Sequence, residues 1–335
     1  MDQRFVIAGL VVLISIKNAG QGILVPIIAQ TYESFNFVLI TYSVQFILFF
    51  GAIYLYLNNW RFRKPNHLKI IIVSGVFMAL MALLMLYAAN PNRTPIIFQV
   101  VLASMPILPS FFLRKKFIKK FTVYDYKYII PSFVLIGVSI VLCVIPVAAD
   151  FHARDIIWII MFATGILCLS SYNVAQEKYL TDTRDSSINN KIGLIFYSKL
   201  VELLIIISFS WLELLIGNES NPIHAFEMSA IKYITNLKAF LFLEGFVLAY
   251  LVAFFLSVYL NSISSNYNML TVVISNPLVA IFFTVFREFD TGIKYPLYII
   301  IPAICLNIGS IMLWIKGERK KEDYESIEDE VTINA

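Results

Sequence analysis

Apolar residues arrive along this chain in blocks of roughly 20, the length a helix needs to cross about 30 Å of hydrocarbon at 1.5 Å per residue. Within the blocks they recur at neither the helical nor the strand period. In lipid every backbone amide must find its partner inside its own segment, so blocks of this length are helices. A barrel needs shorter strands in which apolar and polar residues alternate. Composition agrees: 59% of the 335 residues are hydrophobic and 14% charged, whereas a soluble domain carries about a quarter charged residues. The fold class is therefore all-α and integral to a membrane. The first block, from Phe5, is too long for the core of a signal peptide and no small-residue cleavage pattern follows, so it is expected to be a retained span.

Ten spans are predicted: 5–28, 36–57, 68–89, 95–113, 128–147, 156–175, 192–215, 240–260, 268–286 and 295–315. Of the 26 Lys and Arg, eighteen fall on one side of this arrangement, including the run Arg114, Lys115, Lys116, Lys119 and Lys120, and six on the other. By the positive-inside rule the richer side is cytoplasmic and holds both termini. The sequons at Asn92 and Asn218 both fall on the opposite side and are candidate glycosylation sites. The acidic stretch 318–335 is expected to be a disordered cytoplasmic tail. Within it Tyr324-Glu325-Ser326-Ile327 has the form that sorting adaptors read on endosomal and lysosomal proteins, although four-residue patterns also arise by chance. Orientation accounts for the slight basic excess, which calls for no nucleic-acid partner.

Residues 101–112 (VLASMPILPSFF) align with 272–283 (VVISNPLVAIFF), with Val, Ser, Pro and Phe-Phe coinciding. The shift pairs span 4 with span 9, as an internal repeat would; chance coincidence among abundant Val and Phe is the other reading. Five spans per half is an odd number, so the second copy is inverted. The chain then divides into a first half, 1–150, a second half, 151–317, and the tail. A proline inside a span frees a backbone carbonyl and bends the helix, which is tolerated where a neighbour or a wet cavity satisfies it. Pro106 and Pro277 are thus candidates to line a central cavity, with a packing kink as the other reading.

Charge inside a span costs at least about 2.5–3.5 kcal/mol, so each instance calls for a role or a partner. Lys17 lies mid-span beside Asn18, Gly20, Gln21 and Gly22, as a water-filled cavity would require; a structural ion pair is the alternative. Lys199 and Glu202 are further candidates for the cavity; three apart on one helix, they also share a face and can instead pair with each other. Glu244 and Glu202 are candidates for proton coupling, Gln45 and Gln99 for the cavity wall, and Glu213 for an interfacial position. Cys143, Cys168 and Cys305 sit in apolar blocks, and the three histidines in separate linkers, so neither a disulfide framework nor a metal site is expected. No cofactor is implied. A membrane enzyme would need paired acids, a His/Cys/Asp cluster or a metal motif within the spans, and the sequence offers none.

Span 4 and its basic exit, from Gln99 through Pro106 and Ser110 to Phe117, resemble the chloroquine-resistance-transporter-like family of the drug/metabolite transporter superfamily. Asn173 followed by Gln176 and Glu177 is similar to that family's asparagine-then-glutamate motif, and Asn276-Pro277 and the exit at 318–321 also fit. The resemblance implies a ten-helix, five-plus-five inverted repeat around a central cavity. It implies a secondary transporter of an amino acid, peptide, thiol or drug-like metabolite, working by alternating access, in some members with proton coupling at a vacuolar or endolysosomal membrane. Lys17 would favour an anionic or zwitterionic solute. A nucleotide-sugar transporter of the Golgi or endoplasmic reticulum is the second reading, and a non-transporting receptor or assembly factor is the third, from another class.

Overall fold

A computed structural model describes residues 3–103, 105–118, 122–144, 155–183, 185, 187–217, 221–286 and 297–320. Three long helices open the chain: α1 (Gln3–Thr31), α2 (Phe35–Leu57) and α3 (Leu68–Ala88). The region read as one span over 95–113 is two helices, α4 (Ile96–Leu102) and α5 (Ile107–Phe117), broken just before Pro106. Pro106 heads α5, where its carbonyl accepts from the Ser110 amide at 3.1 Å and also from the Ser170 hydroxyl of a neighbouring helix at 2.8 Å. After the short strand β1 (Thr122–Tyr124) come α6 (Tyr126–Val144), α7 (Asp155–Thr183) and α8 (Ile188–Ser208).

Helix α7 runs about two turns beyond its predicted end, whereas α8 stops at Ser208, about two turns before the expected boundary, and the one-turn α9 (Leu212–Ile216) follows. The amphipathic α10 (Pro222–Thr235) is a surface helix, entered through Asn221, whose side chain accepts from the Ile223 and His224 amides. The chain closes with α11 (Leu237–Asn261), α12 (Ser265–Val285), α13 (Leu297–Gly317) and β2 (Glu318–Lys320). Strand β2 pairs antiparallel with β1, Val123 opposite Arg319. This corrects the expectation that disorder begins at 318; residues 321–335, with the Tyr324–Ile327 pattern, lie outside the described residues.

Among the described residues six helices, α1, α2, α3, α7, α11 and α12, are each long and apolar enough to cross a membrane. The protein is an all-α, multi-pass membrane protein. Its polarity is inverted as lipid requires: Leu48 and Leu204 are each 67% exposed on outward faces, while Lys199 and Glu202 are both fully buried. Helix α3 packs on α7 and α8, α1 on α11 and α12, α2 on α8 and α11, α6 on α13, and α7 on α4 and α5. Helices in lipid gain from close backbone approach. At Gly75 an added Cβ would stand 2.8 Å from the Ser198 carbonyl oxygen, so only glycine allows α3 to approach α8 as it does.

Candidate functional site

A cavity of about 150 Å³ lies between α1, α3, α4, α7, α11 and α12. Its first wall is α1. Lys17, Asn18 and Gln21 line it there, with Gly22 and Pro26 a turn further on. Helix α11 gives the aromatic wall, Tyr250 and Phe254 standing four residues apart on one face. Asn268, Ser275 and Asn276 face it from α12, and Asn173 and Tyr172 from α7.

Lys17 is half-buried. Its Nζ donates to Asn18 Oδ1 at 2.7 Å and lies 5.5 Å from the centre of the Tyr250 ring. The Asn18 amide in turn donates to the Thr271 hydroxyl at 2.8 Å, fixing α1 to α12. Among the described residues no carboxylate lies within 4.0 Å of the Lys17 ammonium. One turn on, Gln21 Nε2 is buried without an acceptor.

One end of the cavity is closed by amides. Asn173 Oδ1 accepts from Asn268 at 2.7 Å and from Asn261 at 2.8 Å, and Asn261 also donates to Gln176 at 2.7 Å. Beyond this floor lies a charged latch. Arg114 at the end of α5 pairs with Glu177 of α7 at 2.8 Å and with Glu318 of β2 at 2.7 Å. Glu177 also accepts from the Ser265 amide at 2.9 Å, where a carboxylate at the start of α12 meets the positive end of the helix dipole. Glu318 gathers the Ser264 hydroxyl and the Trp314 indole. The latch thus ties five elements together at one end of the bundle.

Lys199 and Glu202 are brought together as their spacing predicts, at 2.6 Å, and they do not face the cavity. Lys199 donates to the Tyr42 hydroxyl, which donates to Glu202. The rings of Tyr42, Phe46 and Phe254 surround the ammonium at 4.3, 4.5 and 4.4 Å. Phe254 is therefore a partition, with the cavity on one side and this cluster on the other. Gln45 and Glu244 form another group outside the cavity: Gln45 donates to Glu244 at 2.8 Å and Tyr233 of α10 does so at 2.6 Å. Burial first, then the Glu244 carboxylate, push the Tyr233 phenol up to about 12, so it holds its proton and remains the donor.

Of the other candidates, Asn276 lines the cavity and Pro106 does not. Gln99 lines it while spending its amide on the Ala89 and Thr94 carbonyls, both at 2.7 Å. Pro277 lies within α12, its side chain outside the described residues. Glu213 is buried at the start of α2, accepting from the Phe35 amide at 2.6 Å and the Ser34 hydroxyl at 2.9 Å. Asn92 is exposed, whereas Asn218 lies outside the described residues.

Several members of these groups escape a sequence reading. Arg114 looks like the first charge of an orientation signal and Glu318 like the first residue of a tail; only the fold sets them together. Asn261 and Asn268 bracket a polar stretch that reads as a linker. Gln21, four residues after Lys17, was within reach of helical spacing. No known protein family matches the chain, and no characterised protein matches it either.

Proposed function

We propose that the chain is a secondary transporter that moves a small organic solute by alternating access through a ten-helix, five-plus-five inverted repeat. The observation that carries this reading is the cavity among the helices, with an ammonium in its wall that no carboxylate of the described residues neutralises. A charge held at that cost without compensation calls for a ligand.

The packing supports the repeat. With α4 and α5 counted as one span, exchanging each helix with its counterpart five spans away turns α3 on α7 into α11 on α1. It likewise turns α1 on α12 into α7 on α4 and α5, and α3 on α8 into α11 on α2. The pairs α2 on α8 and α6 on α13 map onto themselves. Each of these pairs is in contact. The break at Pro106 and the latch behind it are features on which a rocking half can hinge and close. The resemblance of 99–117 and 173–177 to the chloroquine-resistance-transporter-like family points the same way and favours a vacuolar or endolysosomal membrane, and the loop-charge bias favours cytoplasmic termini.

A nucleotide-sugar transporter is the weaker reading: drug-sized ligands occupy pockets of about 300–1,000 Å³, above the 150 Å³ found here. The test is flux into liposomes holding the purified chain, with amino acids, dipeptides, glutathione, small carboxylic acids and a nucleotide sugar, under proton gradients of either sign. Uptake of at least one class above empty liposomes is expected. No flux of any class would sink the proposal.

A further inference from the structure

We infer that the solute is a small monocarboxylate, seated with its carboxylate between the Lys17 ammonium and the Gln21 amide. The inference rests on the transporter reading only for the solute's passage, since the seat is a matter of binding. Lys17 and Gln21 are four residues apart on α1 and so share a face, and both line the cavity. An ammonium has three donors; the protein acceptor shown for Lys17 is the Asn18 side-chain oxygen. The buried Gln21 Nε2 has none. Donors left without acceptors are costly to hold. Two of them a turn apart, one charged, match the two oxygens of a single carboxylate.

The rest of the wall narrows the class. None of the described lining residues is Asp or Glu, so an ammonium on the solute would meet Lys17 with no carboxylate among them to offset it. Two amide oxygens of the wall already accept from the protein: Asn18 Oδ1 from Lys17 and Asn173 Oδ1 from two amides. That disfavours cations outright and amino acids by their amine. A single lysine balances one negative charge, which sets a diphosphate apart from a monoanion. Opposite the seat, Tyr250 and Phe254 give an apolar shelf for a short carbon skeleton. The 150 Å³ available is many times the ~10–15 Å³ that one water needs on the same kind of measure, enough for a small acid.

The test measures binding of radiolabelled L-lactate to the purified full-length protein in detergent, with competition by pyruvate, glycine and choline. Saturable binding is expected, displaced by pyruvate and not by glycine or choline. Lys17→Met should weaken it by at least about tenfold and Gln21→Leu by about fivefold, the losses of a charged and a neutral hydrogen bond. Lys17→Arg should retain most of it. Equal displacement by choline or glycine overturns the inference, as does wild-type affinity in Lys17→Met. Should Lys17→Met fail to fold, Gln21→Leu carries the test, and unchanged affinity there overturns the seat. Absence of lactate binding to monodisperse wild-type protein overturns the inference whatever else is transported. Lactate binding without flux in liposomes upholds it and removes the transporter reading instead.

Discussion

Lys17 and Lys199 are both lysines within apolar helices, and the protein treats them in opposite ways. Lys199 is fully buried, paired with Glu202 at 2.6 Å and enclosed by three aromatic rings. Lys17 opens on a cavity, and its shown polar partner is the neutral Asn18. Burial alone therefore does not mark a functional charge in this molecule. Compensation separates the two: a charge answered by its own protein locks helices together, while one left unanswered waits for something from outside. Arg114 belongs with Lys199, since it is answered twice, by Glu177 and Glu318.

The largest effect is expected at Arg114. Removing one partner of a buried pair costs about 3–5 kcal/mol because it strands the other charge, and here two carboxylates are stranded side by side. Arg114→Met should lower stability by about 4 kcal/mol or more, read as thermal unfolding of the purified protein in detergent. Glu177→Gln in the same background should recover part of the loss. An Arg114→Met melting temperature equal to wild type would mean that the latch is open in the membrane.

Next comes the Lys199 cluster, where the comparison can be made sharper with a cycle. Lys199→Met alone leaves Glu202 uncompensated and should cost about 3 kcal/mol. The double change Lys199→Met with Glu202→Leu removes both charges, and buried pairs replaced by apolar residues are often neutral or better. The double variant should therefore be more stable than either single one, with a coupling of about 1–3 kcal/mol. Strict additivity would dissolve the pair as a unit.

These cases also explain which parts were readable in advance. Helix existence was readable because hydrocarbon imposes a length on each apolar block, and all ten predicted blocks contain helix in the described residues. The Lys199–Glu202 pair was readable because it is local, set by helical spacing alone. The latch was not, because Arg114 and Glu318 are 204 residues apart and meet only after α5, α7 and the β1–β2 ladder have packed. The break at Pro106 was only half readable: the proline announces a bend, but not that α4 and α5 separate into two helices. At the cavity, Lys17 and Asn18 were visible as polar intrusions in a span. Tyr250 and Phe254 were not, since two aromatics among many apolar neighbours have no spacing that sets them apart.

The smallest expected effect is at Lys17, and it decides whether the comparison holds. Lys17→Met removes an ammonium that no carboxylate among the described residues meets, so none of those is stranded. The loss is one hydrogen bond to Asn18 Oδ1, a net of about 0.5–1.5 kcal/mol, and cavity water can replace that donor. Against it stands the relief of no longer holding a charge away from bulk water. The two nearly cancel, so Lys17→Met should unfold within about 1 kcal/mol of wild type, measured in the same detergent as Lys199→Met. A loss as large as that of Lys199→Met would mean that Lys17 has a structural counter-charge of its own. The two lysines would then be alike, and the cavity would lose the unanswered charge on which its reading depends.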